Sequence, residues 1–218
     1  MTIDNLIFDL DGTLIDSSEG VVEAVNYSLR RIGEPEQPPE RIKAFIGYPL
    51  SQMYPTFTSA PVKELYRHFQ EKASETVVSS TVVLPGVAEM LHFLHDQGYR
   101  LGIATTKIKN HVHGIIEKFQ WHRLIAAYCG GDEVRRVKPD PEILLLALRR
   151  MGVGADNSMA VGDTINDVLA ARAVPMTVTG VASLYGGRQK LLEARPDFFI
   201  ESLPELPSVL NGLQKEAL

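Results

Sequence analysis

Two hydrophobic patterns alternate along the chain. Short apolar runs at 6–8, 100–105, 124–129, 158–161, 175–181 and 198–200 have the length and the β-branched or aromatic content of buried strands. Between them, apolar residues recur at helical spacing, predicting helices over 87–97, 109–119, 141–151 and 164–172. Gly98 and Gly152 stand where two of these helices should stop. Strands alternating with helices predict a parallel sheet covered on both faces.

The segment after the first strand breaks that rhythm. Val21, Val22, Val25, Leu29 and Ile32 predict a helix over 17–32, capped by Ser17 or Ser18 and ended by Gly33. Residues 34–39 (Glu-Pro-Glu-Gln-Pro-Pro) exclude regular structure. Short helices are expected at 40–45 and from about Ser51. Pro61 opens a longer one to about Val78, with Leu65, Tyr66, Phe69 and Ala73 on one face. No strand pattern occurs between 17 and 80. The reading is a Rossmann-like α/β core from residues 1–15 and 82–218, with an all-helical unit, 16–81, inserted after the first strand. The two crossings are expected to act as a hinge.

Composition narrows the classes. At 218 residues with 44% hydrophobic content, the chain has enough apolar mass for a substantial core. A net charge of −5 argues against a nucleic-acid partner. No secretory leader and no apolar run of membrane-spanning length is visible, so a cytoplasmic protein without a membrane partner is expected. The single cysteine, Cys129, sits in an apolar run and reads as a buried structural thiol. The six histidines show no spacing tied to a ligand set and read as surface or packing residues.

The candidate chemistry lies in four stretches. The first is Ile7-Phe8-Asp9-Leu10-Asp11-Gly12-Thr13-Leu14. If strand geometry continues, Asp9 and Asp11 face the same side. Two adjacent carboxylates at a strand end are costly unless a cation or a shared proton offsets them. The second, Gly102 to Lys107, ends an apolar strand in Thr105 and Thr106, at the sheet edge where open α/β sheets bind ligands. In the third, Lys138-Pro139-Asp140-Pro141, the prolines hold Lys138 outside helical geometry, free to reach a site. The fourth, Gly162-Asp163-Thr164-Ile165-Asn166-Asp167, places one acid at a strand end and another in the first helical turn. Asp9, Asp11 and Asp163 form a set of hard oxygen donors, which suits Mg²⁺ better than Zn²⁺.

Taken together, the order DxDGT, strand-end Thr, KPxP and GDTxxD resembles the haloacid dehalogenase-like hydrolases. The position of the helical insertion resembles members with an α-helical cap. Leu84-Pro85-Gly86-Val87, Ile46-Gly47-Tyr48-Pro49-Leu50 and Gly180-Val181 are similar to the phosphoglycolate phosphatase-like branch. Thr106, Val174-Pro175 and Leu184 depart from that pattern, where Asn, a small-Gly pair and Gly are usual. The resemblance implies a Mg²⁺-dependent phosphatase acting on a small phosphorylated metabolite, 2-phosphoglycolate first among candidates, as a monomer or homodimer. A sugar-phosphate mutase or a pyrophosphatase of the same fold is the alternative. It implies Asp9 as nucleophile, Asp11 as acid and then base, and Lys138 as charge balance. Thr105 and Thr106 would contact phosphate. The metal would be held by Asp9, Asp11 (through its main-chain carbonyl), Asp163 and Asp167. In the insertion, Gly47 is expected to let the backbone approach the substrate. Arg41 and Lys43, with Lys63 and Arg67, are candidates for a substrate carboxylate.

Overall fold

A computed structural model describes residues 2–185 and 187–216. The chain opens with β1 (Asn5–Phe8), β2 (Ile15–Asp16) and four helices: α1 (Ser18–Arg31), α2 (Pro39–Lys43), α3 (Leu50–Met53) and α4 (Val62–Ser80). It continues through β3 (Val82–Val83), α5 (Val87–Asp96), β4 (Arg100–Ala104), α6 (Lys109–Lys118), β5 (Ile125–Cys129) and α7 (Glu142–Met151). It closes with β6 (Ser158–Gly162), α8 (Ile165–Ala173), β7 (Thr177–Val181), α9 (Arg188–Glu193), β8 (Phe198–Ile200) and α10 (Leu206–Glu216). The main sheet has the order β5-β4-β1-β6-β7-β8, and every neighbouring pair is parallel.

The two-residue period of the strands divides the core. Leu6 and Phe8, Leu101 and Ile103, and Met159 and Val161 face one side, packed with residues of α5, α6 and α10. Ile7, Ala104 and Ala160 face the other, packed with α7 and α8. Burial on both faces explains why these strands read as continuous apolar runs. β1 lies at the centre, so its carboxyl end opens between β4 and β6.

The four helices between β2 and β3 have a core of their own, built from Val25, Leu29, Ile42, Met53, Tyr54 and Leu65. The second crossing, at 82–86, begins with a strand. β3 pairs antiparallel with β2, Ile15 opposite Val83 and Asp16 opposite Val82, and the Leu84 amide donates to Leu14 O at 3.1 Å. Both crossings are thus tied into one two-stranded ribbon. Two helices were not anticipated: α9, and α10, whose Leu206 and Leu210 cover α5 and the sheet. Among the described residues, no helix is long and apolar enough to cross a membrane.

Candidate active site

Asp9 and Asp11 lie beyond the end of β1, so their two-residue spacing does not put them on one face. Asp9 stays in line with the sheet, its amide donating to Val161 O at 2.8 Å. The chain then turns: the amides of Thr13, Leu14 and Ile15 all donate to Leu10 O at 3.3, 2.9 and 3.1 Å. Gly12 makes the turn at φ +83°, where a side chain is disfavoured. A Cβ there would sit 2.3 Å from Asp163 Oδ2. The turn therefore sends the Asp11 carboxylate away from the Asp9 carboxylate, while Asp163 closes in against the bare Gly12 backbone.

Asp9, Asp163 and Asp167 each offer an oxygen to one cluster, all within 4.8 Å of one another and all three residues buried. The Asp11 carboxylate is not in it: of the three acids read as hard donors, Asp9 and Asp163 contribute carboxylates here, joined by Asp167, also an expected ligand. Lys138 Nζ donates to Asp9 Oδ1 at 2.8 Å and to Asp167 Oδ1 at 2.6 Å, itself only 4% exposed. The lysine sits in the turn that carries Pro139 and Pro141, and its ammonium enters the cluster. Asp167 Oδ2 accepts from the Thr164 amide at 3.0 Å and hydroxyl at 2.6 Å, a cap on the first turn of α8. Thr13 Oγ1 donates to Asp163 Oδ1 at 3.1 Å.

The electrostatics show a shortage of positive charge. Burial pushes the Asp9 carboxyl up to about 7; Lys138 pulls it down, while Asp167 and Asp11 push it further up. Asp163 is raised well above the usual carboxylate range by burial and by Asp9 and Asp167. Burial works against the charge on Lys138, yet Asp167 and Asp9 hold its ammonium above the normal lysine range. One ammonium among three carboxylates leaves two negative charges unmatched when all are ionised. The donors are all carboxylate oxygens, with no thiol or imidazole among them. This composition fits a hard divalent cation.

Asp11 has separate partners. Lys107 Nζ lies 3.1 Å from its Oδ2, and Ser17 donates to its Oδ1. Lys107 also reaches Ser17 Oγ at 3.4 Å. Sequence reasoning assigned Lys107 no role; the only cue was its place two residues after the strand-end threonine. Asp11 and Lys107 border a cavity of about 340 Å³ between the core and the inserted helices. His111, read as a packing residue, lines it as well. Burial, with Lys107 nearby, lowers its pKa to about 4 despite Asp11 and Asp132, so its ring is neutral at physiological pH.

The remaining candidates divide. Thr105 is buried beside the cluster's edge of the sheet, its hydroxyl accepting from the Lys107 amide at 3.3 Å. Thr106 donates its hydroxyl proton to Gly47 O at 3.3 Å, so in this conformation it has none for a phosphoryl oxygen. Gly47 does bring its backbone to the site, at φ +89° and with room for a Cβ only 3.1 Å from Thr164 Cγ2. Arg41 does not reach the cavity. Its guanidinium is held inside the insertion by Gln37 Oε1 at 2.6 Å and Thr56 O at 3.2 Å, over the Phe57 ring. Lys43 lies outside the cavity lining, 3.8 Å from Glu40. Lys63 and Arg67 do not line it either. Local charge placed these residues in the sequence reading; the helix faces they occupy turn elsewhere. Cys129 is buried with its thiol pushed up by burial, as a structural cysteine should be.

Fold and site together define an α/β enzyme of the hydrolase class, with its acids gathered at the carboxyl edge of a parallel sheet. The chain belongs to the haloacid dehalogenase-like hydrolases, whose family model matches residues 6–181. It is 33% identical to a probable phosphatase, IndB, of Dickeya dadantii, covering 96% of this chain and 94% of that one. It is 30% identical to a phosphoglycolate phosphatase of Salmonella typhimurium, covering 96% and 93%. A crystal structure of a haloacid dehalogenase-like hydrolase from Bacteroides fragilis superposes with a TM-score of 0.88 at 28% identity, covering 94% of this chain and all of that one.

Proposed function

We propose that this chain is a Mg²⁺-dependent phosphatase that hydrolyses a small-molecule phosphomonoester through an aspartyl-phosphate on Asp9. The observation that carries the reading is the separation of the two motif acids. Asp9 belongs to the buried cluster with Lys138, whereas Asp11 faces the cavity with Lys107. Two carboxyls in different surroundings take different roles.

In the first step an Asp9 carboxylate oxygen attacks phosphorus and the bond to the leaving oxygen breaks. Asp11 gives its proton to that oxygen, and Lys107 lies where it stabilises the carboxylate left behind. In the second step Asp11 takes a proton from water. The water oxygen bonds to phosphorus, the Asp9–phosphorus bond breaks, and phosphate is released. Lys138 would offset charge between Asp9 and the phosphoryl group, and Thr105, directly after β4 and beside β1, would donate its hydroxyl proton to a phosphoryl oxygen. Asp9 and Asp163 through their carboxylates, and Asp11 through its main-chain carbonyl, would hold Mg²⁺. Asp167 would bind it directly, through water, or by orienting another ligand. When bound, the ion supplies positive charge beside the phosphoryl oxygens. Phosphomonoester hydrolysis requires accelerations up to ~10²¹, more than one nucleophile provides, so fixed charges around the phosphate are needed. The helices of 16–81 serve as a cap over a core of 1–15 and 82–218.

The test is phosphate release from a panel of phosphoesters with Mg²⁺ and with chelator, together with acid-quenched trapping of phosphoenzyme. Mg²⁺-dependent phosphate release and a trapped adduct that disappears in Asp9→Asn are expected. Isomerised sugar phosphate without free phosphate would instead identify a mutase.

A further inference from the structure

Resting on the phosphatase reading, the second question is what the ester carries besides its phosphate. The cavity that opens from Asp11 answers it, because the acid that protonates the leaving oxygen must face the leaving group. On the insertion side its wall is largely apolar: Phe45, Leu50, Val62, Phe69 and Val77 line it, with the Tyr48 and Tyr66 rings. Lys107 is the only lysine or arginine lining it among the described residues, and it is already paired with Asp11 at 3.1 Å. His111 is neutral, and Asp132 adds an acid, its Oδ1 accepting from the Lys109 amide at 2.7 Å. The basic residues of the insertion that could have met a carboxylate, Arg41 and Lys43, lie elsewhere. A second anionic group on the substrate would therefore be desolvated against aliphatic and aromatic carbon, with Asp11 and Asp132 as its charged neighbours and no unpaired cation.

Size points the same way. A cavity of about 340 Å³ lies in the range of small-molecule sites, and a two-carbon hydroxy acid leaves much of it unfilled.

We infer that the preferred substrate is the phosphomonoester of an alcohol with an uncharged, largely apolar body, of the size of a substituted aromatic ring or a branched aliphatic chain, seated between Phe45, Leu50 and Phe69. Compact leaving groups that carry a negative charge of their own, such as a hydroxy-carboxylate or a second phosphate, are disfavoured. The uncharged polar side chains on the wall, Tyr48, Ser51, Tyr66, Gln70 and Thr106, suit a hydroxyl or amide on that body, not a charge.

Three alkyl esters separate the contributions without a large change in leaving-group acidity: 2-phenylethyl phosphate, ethyl phosphate and 2-phosphoglycolate, with pyrophosphate as a fourth substrate. kcat/KM for 2-phenylethyl phosphate is expected to exceed that for ethyl phosphate at least tenfold, with 2-phosphoglycolate and pyrophosphate no better than ethyl phosphate. Leu50→Lys, which adds a cation to the wall, is expected to lower the 2-phenylethyl value about tenfold and raise the 2-phosphoglycolate value. Phe69→Leu, a milder change, is expected to lower the 2-phenylethyl value several-fold more than the ethyl value; circular dichroism checks that both variants fold. A preference of the wild type for 2-phosphoglycolate or pyrophosphate would overturn this inference and leave the phosphatase reading standing. Absence of phosphate release from every ester would overturn the phosphatase reading instead. Calorimetric titration of the same alkyl esters would then decide the chamber alone: tightest binding of the phenylethyl ester supports it, and equal or weaker binding refutes it.

Discussion

Lys138 Nζ lies 2.8 Å from Asp9 Oδ1, though 129 residues separate them in the chain. The lysine also bonds Asp167, so among the described residues it is the cation paired within three buried carboxylates. Removing one partner of a buried ion pair typically costs about 3–5 kcal/mol, because the other charge is left unmatched. Lys138→Met should lower stability by roughly that amount in chelator and by less with Mg²⁺ present, since the ion offsets the same charge. Thermal melts in both conditions check this. An equal loss in the two would separate the lysine from the cation site.

Gly12→Ala tests the turn. The φ of +83° disfavours any side chain, and the new methyl group would meet Asp163 Oδ2 at 2.3 Å. Strain of this kind costs about 1–3 kcal/mol, so the variant should still fold. Because the displaced atom belongs to the acidic cluster, turnover should fall roughly 100-fold or more, in proportion to the sensitivity of catalysis to ångström-scale misplacement. Steady-state kinetics beside a melting curve separate the two effects; near-normal turnover would show that Asp163 has freedom the packing does not suggest.

Lys118 joins the insertion to the core. From α6 its ammonium donates to Val78 O at 3.0 Å, Ser79 O at 2.7 Å and Thr81 O at 2.7 Å. These are carbonyls at the C-terminal end of α4, which a helix leaves without internal partners, and a cation is favoured there by the dipole. Lys118→Met should cost about 1–2 kcal/mol and speed amide exchange at Val82 and Val83, in the ribbon that ties the two crossings. Urea titration and exchange measurements read both. Unchanged exchange would mean that the ribbon holds without the lysine.

Glu133 sets a pH dependence unrelated to the acidic cluster. Hydrogen bonds from Arg150, at 2.8 and 2.9 Å, and from Lys109, at 2.7 Å, hold its carboxyl down at about 2, although burial opposes them. A carboxyl with a lowered native pKa stabilises the fold above its unfolded value near 4.5 and loses that contribution as pH falls towards 2. Glu133→Gln should therefore lose about 1–2 kcal/mol at pH 7, and the gap to the wild type should close between pH 4.5 and 2. Urea midpoints at pH 7, 4 and 3 measure it; a gap that does not narrow with acid would assign the loss to packing.

The amino-acid order alone settles a good deal here. Apolar runs of strand length and helical repeats report burial directly, because each residue's partition between water and core depends mainly on its own side chain. The sheet, its covering helices and the helical insertion follow from that. So do Asp9, Asp163 and Lys138 as members of one site, since strand ends and flanking prolines constrain a short stretch of backbone locally. What the fold decided is direction over distance. Once β1 ends at Phe8, the turn at Gly12 leaves the Asp11 carboxylate with Lys107 and Ser17, while Asp167 joins Asp9 and Asp163 in the cluster. Arg41 turns into its own helical unit, the ribbon of β2 and β3 joins residues almost seventy apart, and apolar side chains from α3 and α4 meet over Asp11. Each of these is a contact between segments that share no local sequence signal, so only packing of the whole chain chooses among the available partners.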